Sequence, residues 1–257
     1  MSISLQNIVY FLTQKFSLNV INLKLVPGEM LAVIGPNGSG KSTLLNLLAG
    51  DIIPTKGEIL YADTPIRDLA LESRAHFRSV MSQSQDIVYN FLAGEVVEMG
   101  TFVTGKFVDK KTNRKKLDVI STLLGLVDIL KRRFRHLSAG EKQLIQLARA
   151  MIQVWEEINY EEPKFILLDE PTSNLDLPHE IVALSTLKNE TRKGLGVMVI
   201  LHDLNLAAHF ADRIVILSNG RIFAEGSPRE ILTVSNLRDV YGLEMTVTEN
   251  PLRIRHF

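Results

Sequence analysis

The run Gly35-Pro36-Asn37-Gly38-Ser39-Gly40-Lys41-Ser42-Thr43 satisfies the pattern G-x-x-x-x-G-K-[ST]. Glycines at these intervals let a backbone curl until successive N–H groups point at one anion. The lysine and hydroxyl that close the curl add a positive charge and an oxygen ligand for a cation. The chemistry is polyphosphate binding, with Lys41 reaching the outer phosphates and the Ser42 hydroxyl ligating Mg2+. The motif needs a strand before it and a helix after it. Met30 to Ile34 is apolar and β-prone, and Ser42 to Ala49 carries leucines at helical spacing, so both flanks are correct. A glycine-rich turn ahead of a core helix would account for the glycines but not for the lysine and hydroxyl together.

A second group suited to chemistry ends the run Phe165-Ile166-Leu167-Leu168-Asp169-Glu170-Pro171. A buried strand that finishes in two adjacent carboxylates sends them to opposite sides. Asp169 can hold the Mg2+ shell, and Glu170 can face the γ-phosphate and polarise a water for in-line attack. A third group is Leu137-Ser138-Ala139-Gly140-Glu141-Lys142-Gln143, followed by an apolar-periodic stretch to Ile152. Ser138 with Glu141 three places on is a capping box, so a helix begins here and offers a second phosphate-reading N-terminus.

These groups need a frame. Residues 3–34 look like short strands joined by turns, with Pro27-Gly28 leading into the strand before the loop. Asp51 to Glu58 reads as a loop that returns to a strand at Ile59. From about Ala93 to Ala150 the periodicity is mostly helical, and the basic run Lys106 to Lys116 reads as a solvated face. Lys164 to Leu168 and Val197 to Leu201 are short apolar runs that end in Asp169-Glu170 and His202. Strands that deliver charged residues at their C-terminal ends, after a phosphate loop, describe an α/β sheet with ligands at the strand tips.

Composition narrows the classes. The chain has 257 residues, 46% of them hydrophobic, which suits one large α/β domain or a core with a subdomain. Lys+Arg and Asp+Glu number 29 each, so no net basic field points to nucleic acid. There is no cysteine, which excludes disulfides and cysteine metal sites. No apolar run is long enough to span a bilayer, and the first residues lack the basic and apolar regions of a secretion signal, so export is not expected.

Taken together with these anchors, the chain resembles the ABC-type ATPases over nearly its whole length. Leu137 to Gln143 is similar to their signature loop, usually Leu-Ser-Gly-Gly-Gln, with Ala139 in place of the first Gly and Glu141 in place of Gln. Ser173-Asn174-Leu175-Asp176 is similar to the D-loop that meets the partner subunit. His202 stands where the family has its γ-phosphate switch histidine. Gln83 resembles the glutamine that couples the Mg2+ site to the helical subdomain, with Gln85 close by. An early aromatic should stack on adenine, and Tyr10 and Phe11 both qualify.

The resemblance implies a P-loop NTPase core with an N-terminal antiparallel β subdomain and an inserted α-helical subdomain. The core would occupy about residues 1–83 and 164–230, the helical part about 84–163, and a C-terminal tail about 231–257. It implies ATP and Mg2+ as ligands, with Gly35 to Thr43 of one subunit facing Ser138, Gly140 and Glu141 of another in a homodimer. It implies Glu170 and His202 as catalytic residues, Ser42, Gln83 and Asp169 at the metal, and Ser173 and Asp176 at the dimer D-loop. A polytopic permease would dock near Ser84 to Glu95, where Ile87, Val88, Tyr89, Phe91, Leu92, Ala93 and Gly94 are expected to be exposed, the alternative being that they fill the core of the helical subdomain. That places the subunit on the cytoplasmic face of a bacterial inner membrane.

Three features are similar to the importers of iron-siderophores, cobalamin and hemin. They are His202 to Ala208 followed by Ala211 to Ile214, the stretch Gly226 to Leu232 followed by Val240 to Leu243, and an extra segment Gln153 to Pro163 containing Trp155. That segment and Asp176-Leu177-Pro178-His179 resemble the hemin importers, which work with an external hemin-binding protein. The alternatives are ferric-siderophore or cobalamin import, or a soluble ABC ATPase acting on nucleic acid or ribosomes. The last usually carries two nucleotide domains or a coiled-coil insertion, and this chain has neither.

Overall fold

The computed structural model describes residues 2–13, 16–82, 87, 89–104, 110–156 and 162–255. The elements follow in the order β1 (Ile3–Thr13), β2 (Phe16–Leu25), β3 (Met30–Ile34), α1 (Lys41–Ala49), β4 (Lys56–Tyr61), β5 (Thr64–Pro65), α2 (Leu71–Phe77), β6 (Arg78–Met81) and α3 (Ala93–Glu98). Next come α4 (Lys110–Leu123), α5 (Ala139–Val154), β7 (Phe165–Asp169), α6 (Leu177–Lys193), β8 (Gly196–Ile200), α7 (Leu204–Phe210), β9 (Arg213–Ser218) and β10 (Arg221–Gly226). The tail holds α8 (Pro228–Ile231), α9 (Val234–Tyr241), β11 (Thr246–Glu249) and β12 (Leu252–Arg255).

The central sheet runs β10-β9-β3-β8-β7-β6, parallel throughout except for β10. Every residue of β3, β7 and β8 is buried, as continuous apolar strands covered on both faces must be. The register fixes the site. Val33 and Asp169 both pair with Ile200, and Leu168 pairs with Met81. The C-terminal tips of β3, β8, β7 and β6 therefore end on one edge of the sheet, and the segments leaving them share that edge.

A second, antiparallel sheet is ordered β2-β1-β4-β5. Its first two strands are longer than the short strands expected from the sequence. The hydrophobic alternation slips between the Ile8–Ile21 and Tyr10–Leu18 pairs, where Val20 takes φ 51. A bulge absorbs an extra residue and lets one long strand pass where the sequence pattern breaks.

The described residues between β6 and β7 are helices and turns, apart from one bridge between Leu92 and Arg133. They do not form a core of their own. One apolar cluster joins Val96, Leu117 and Ile145 to Ile34, Ile166 and Val199 of the sheet. The tail contributes Leu237, Met245 and Ile254 to the same cluster, and the Asn205 side-chain amide donates to the Ile254 carbonyl and accepts from the Ile254 N–H. Residues 111–116 of the basic run lie on α4 with mostly exposed side chains. Among the described residues no helix is long and apolar enough to cross a membrane.

Candidate nucleotide site

The loop after β3 closes tightly over the sheet. At Gly35, φ is 146° and an added Cβ would collide with the Leu217 carbonyl of β9, so only glycine fits. The helix that follows, α1, is capped by Gly40 with no side-chain hydrogen bond, which leaves its first-turn N–H groups for an anion. Lys41 is 6% exposed. Its ammonium folds back and donates to the carbonyls of Gly35 (2.8 Å) and Pro36 (3.0 Å), bridging the mouth of the loop. Burial holds the Lys41 pKa below its ordinary value, and the carboxylates of Glu170 and Asp169 oppose that shift.

Opposite the loop, Asp169 is buried at the end of β7 and hydrogen-bonded to Ser42. Burial raises its pKa, the Ser42 bond opposes, and the Glu170 charge adds to the rise. Its Oδ1 is buried without a hydrogen-bond partner. Oxygen donors on two elements, one with an orphaned lone pair, match what Mg2+ takes from a protein when substrate phosphates complete its shell. Glu170 has φ 52, so the chain turns sharply after the strand and the two adjacent carboxylates part company. The Glu170 Oε1 lies 2.6 Å from Nε2 of His202, which follows β8. The neighbouring Asp203 caps α7 by accepting from the N–H groups of Asn205 and Leu206.

The expected capping box is present at the start of α5. Ser138 Oγ accepts from Glu141 N (3.1 Å), and Ser138 N donates to Glu141 Oε2 (2.7 Å). The other carboxylate oxygen, Oε1, accepts from Arg132 Nη1 at 2.5 Å. The Ser138 backbone bond above all, then Arg132, holds the Glu141 carboxyl below the usual range. Ala139 is exposed at the first helical position, where its methyl costs nothing. Gly140 is constrained, because an added Cβ would lie 2.8 Å from the Asn174 carbonyl of the Ser173–Asp176 loop. Asp176 caps α6, accepting from His179 N at 3.2 Å and also from the His179 ring. That pairing lowers its pKa.

Gln83 and Gln85 lie outside the described residues, as do Ser84, Asp86 and Val88 of the expected docking segment. The rest of that segment is less exposed than its sequence suggested. Ala93 is fully buried, and Ile87 and Phe91 pack on the main cluster. Tyr89 alone among its described large apolar residues is mostly exposed, at 75%. The correction has a simple cause: Ala93 N and Gly94 N donate to the carbonyls of Arg132 and Leu130, which pulls the segment onto the chain before α5. Beside it runs a groove of about 680 Å3 lined by Leu92, Gly94, Glu95, Leu117, Asp118 and Leu130. Of the early aromatics, Tyr10 packs against the core under β1, and Phe11 is 59% exposed. Trp155 is buried under the Lys193 ammonium, 5.7 Å from its ring centroid, and its carbonyl accepts from Lys116.

Three contacts had no signal in the sequence. Gln143 Nε2 donates to the Glu170 carbonyl (2.8 Å) and to Ser173 Oγ (3.2 Å), so α5 braces the turn that carries the carboxylate. The Tyr241 hydroxyl hydrogen-bonds the Gly35 backbone from α9, and its burial pushes its pKa up to about 12. Arg132 meets Glu141, as above. The first two join elements far apart in the chain, the third spans nine residues, and each rests on a residue type that is common anywhere.

A family model described as ABC transporter matches residues 18–173. The chain is 40% identical over 239 residues to the hemin import ATP-binding protein HmuV of Hahella chejuensis, covering 93% of this chain and 91% of that protein. It is 38% identical over 252 residues to the protein of the same name from Escherichia coli O157:H7, covering 97% and 95%. Among solved structures it is similar to a dimeric bacterial ABC transporter cassette, at 27% identity and TM-score 0.77, covering 88% of this chain and 99% of that one. A post-hydrolysis state of the same cassette, bound to ADP and Pi, matches at 27% identity and TM-score 0.76 with the same coverage.

Proposed function

The chain belongs to the ABC transporter family, and on that premise we propose that it is the ATP-hydrolysing subunit of a hemin importer. One observation carries the reading to hemin: relatives named for hemin import match over 93% and 97% of this chain and over more than nine-tenths of their own length. The geometry supports the chemistry. The phosphate loop, the Asp169-Glu170 pair and His202 leave adjacent strand tips on one sheet edge.

In this reading Gly35, Pro36, Asn37, Gly38, Ser39, Gly40, Lys41, Ser42 and Thr43 wrap the ATP phosphates. Lys41 exchanges the Gly35 and Pro36 carbonyls for phosphate oxygens. Ser42 and Asp169, with Gln83, would hold Mg2+, which would neutralise charge on the phosphates. Glu170 takes the proton of the attacking water on its carboxylate. His202 gives up Glu170 and turns Nε2 toward the γ-phosphate. Of the two early aromatics, Phe11 offers the free ring for adenine and Tyr10 supports its strand.

The subunit works as a dimer against a membrane permease, peripheral to the bilayer, as an importer's ATPase must. Ser138 and Gly140, with Glu141 beside them, close on the partner's ATP. Ser173 and Asp176 line the same interface. Hydrolysis removes the γ-phosphate bridge and lets the subunits part. The permease occupies the groove beside Leu92 and Glu95, and a hemin-binding protein outside the membrane delivers cargo to it. The core is assigned to about 1–83 and 164–230, the helical part to about 84–163 and the tail to about 231–257.

The test is co-purification with the candidate permease and reconstitution in liposomes. Hemin presented by its binding protein should stimulate ATP hydrolysis. Stimulation by a ferric siderophore or cobalamin instead would move the cargo. Stimulation by nucleic acid or ribosomes, without the permease, would overturn the transport reading.

A further inference from the structure

The signature loop carries an acid, Glu141, at the helix end that the proposed sandwich turns toward a partner's ATP. An unpaired carboxylate there would repel the phosphates and cancel part of the helix N-terminal field. The structure answers with Arg132, whose guanidinium takes the Glu141 oxygen that the capping box leaves over. Arg132 does not reach in from a loose loop. Its carbonyl accepts from Ala93 N (2.9 Å), and the adjacent Leu130 carbonyl accepts from Gly94 N (2.9 Å). Phe134 N donates to Phe91 O, Arg133 Nη1 donates to Asn90 O, and Arg133 pairs with Leu92 in the one described bridge of this region. The backbone on both sides of Arg132 is thus laced to the segment after β6, and the side chain is aimed at the start of α5. Both partners stay accessible, with side chains 46% and 29% exposed, so the pair lies at the surface where a second subunit would close.

We propose that Arg132 is a positioning residue of the ATP sandwich, which neutralises Glu141 so that Ser138 and Gly140 can meet the phosphates of the partner's nucleotide. This rests on the dimer reading above. In this reading Arg132 has no direct role toward the nucleotide or the attacking water. It acts through Glu141, by removing a repulsion and by fixing the carboxylate inside its capping box.

The experiment measures ATP-driven dimerisation by sedimentation in the full chain carrying Glu170→Gln, alone and combined with Arg132→Ala, then with Arg132→Ala and Glu141→Gln together. The amide of Glu141→Gln keeps the capping box and removes the charge. Arg132→Ala should raise the ATP concentration for half-dimerisation roughly five- to ten-fold, the scale of one poorly screened charge at a part-exposed site. The defect should shrink with added salt. ATP binding to the monomer's own phosphate loop should be unchanged. Adding Glu141→Gln should restore dimerisation, because the repulsion has gone. If Arg132→Ala matches its parent, or if the defect persists after Glu141→Gln and ignores salt, the proposal is wrong and Arg132 is scaffold. If the Glu170→Gln chain itself stays monomeric with saturating ATP, the dimer reading falls and takes this one with it.

Discussion

Nε2 of His202 and Oε1 of Glu170 stand 2.6 Å apart across the tips of β8 and β7. The imidazole therefore holds the carboxylate that is proposed to receive a proton, and the turn that presents it is braced from α5 by Gln143. Glu170→Gln keeps the shape and the His202 contact but cannot accept the water's proton. Hydrolysis should fall by about 10²- to 10³-fold with ATP binding retained, and the ATP-bound dimer should accumulate. Steady-state turnover and nucleotide binding on one preparation check this. Turnover near wild type would remove Glu170 from the role of base.

Lys41 is buried and donates to two carbonyls of its own loop. Replacing it with alanine takes the charge partner from an enclosed phosphate chain. ATP affinity should drop by roughly thirty-fold or more, the cost of leaving a buried anion without its cation. Calorimetric titration on the isolated subunit reads this without the permease.

Asp169 illustrates how a site stores instability. Burial raises its pKa, so its ionised form costs the folded state free energy. That cost is fully present above the raised folded value. It fades as pH falls through that value and vanishes below the ordinary aspartate range, near about 4. Asp169→Asn can still accept from Ser42. The variant should melt about 2–4 °C above wild type at pH 7.5, lose the advantage in acid, and lose Mg2+-dependent hydrolysis. A melting series across pH, with an activity assay at neutral pH, tests the sign.

Gly140 is fixed by its own chain as well as by any nucleotide. A methyl there would stand 2.8 Å from the Asn174 carbonyl, so α5 and the Ser173–Asp176 loop would have to separate. Gly140→Ala should cost about 1–2 kcal/mol of stability and displace the loop that also receives Gln143. Dimerisation should suffer more than monomer ATP binding. Equal loss of both would place the damage at the phosphate loop instead.

Local chemistry was the legible part of this chain. Gly35 to Thr43, Phe165 to Glu170 and Ser138 to Glu141 each carry their meaning within a few residues, because a turn, a strand end and a capping box are local physics. The strand tips that unite them could be anticipated from two apolar runs, each ending in charge. Contacts across the fold were silent. Nothing at Tyr241 announces that it meets Gly35, and nothing at Arg132 announces Glu141, since pairing depends on packing that only the whole chain defines. Exposure misled at Phe91 and Ala93. Apolar residues in a polar-flanked stretch suit a docking surface or a core equally well, and the hydrogen bonds to Leu130 and Arg132 decided for the core.

That decision separates two neighbouring aromatics. Tyr89 and Phe91 face each other edge to face, with ring centroids 6.1 Å apart, but Tyr89 is mostly exposed and Phe91 packs on the main cluster. A glutamate at position 91 would bury a charge against Ala93 and its neighbours, so Phe91→Glu should unfold the region and lower the melting temperature sharply. Tyr89→Glu places the charge in water. It should leave folding and ATP binding intact and strip the subunit from the permease during co-purification, because a partner helix docking on this segment would meet a carboxylate in place of the exposed ring. Tyr89→Phe, which keeps the ring, should co-purify normally. Wild-type yield of the complex with Tyr89→Glu would put the permease elsewhere on the helical layer, and co-purification of a stably folded Phe91→Glu would show that this segment is not held by the core at all.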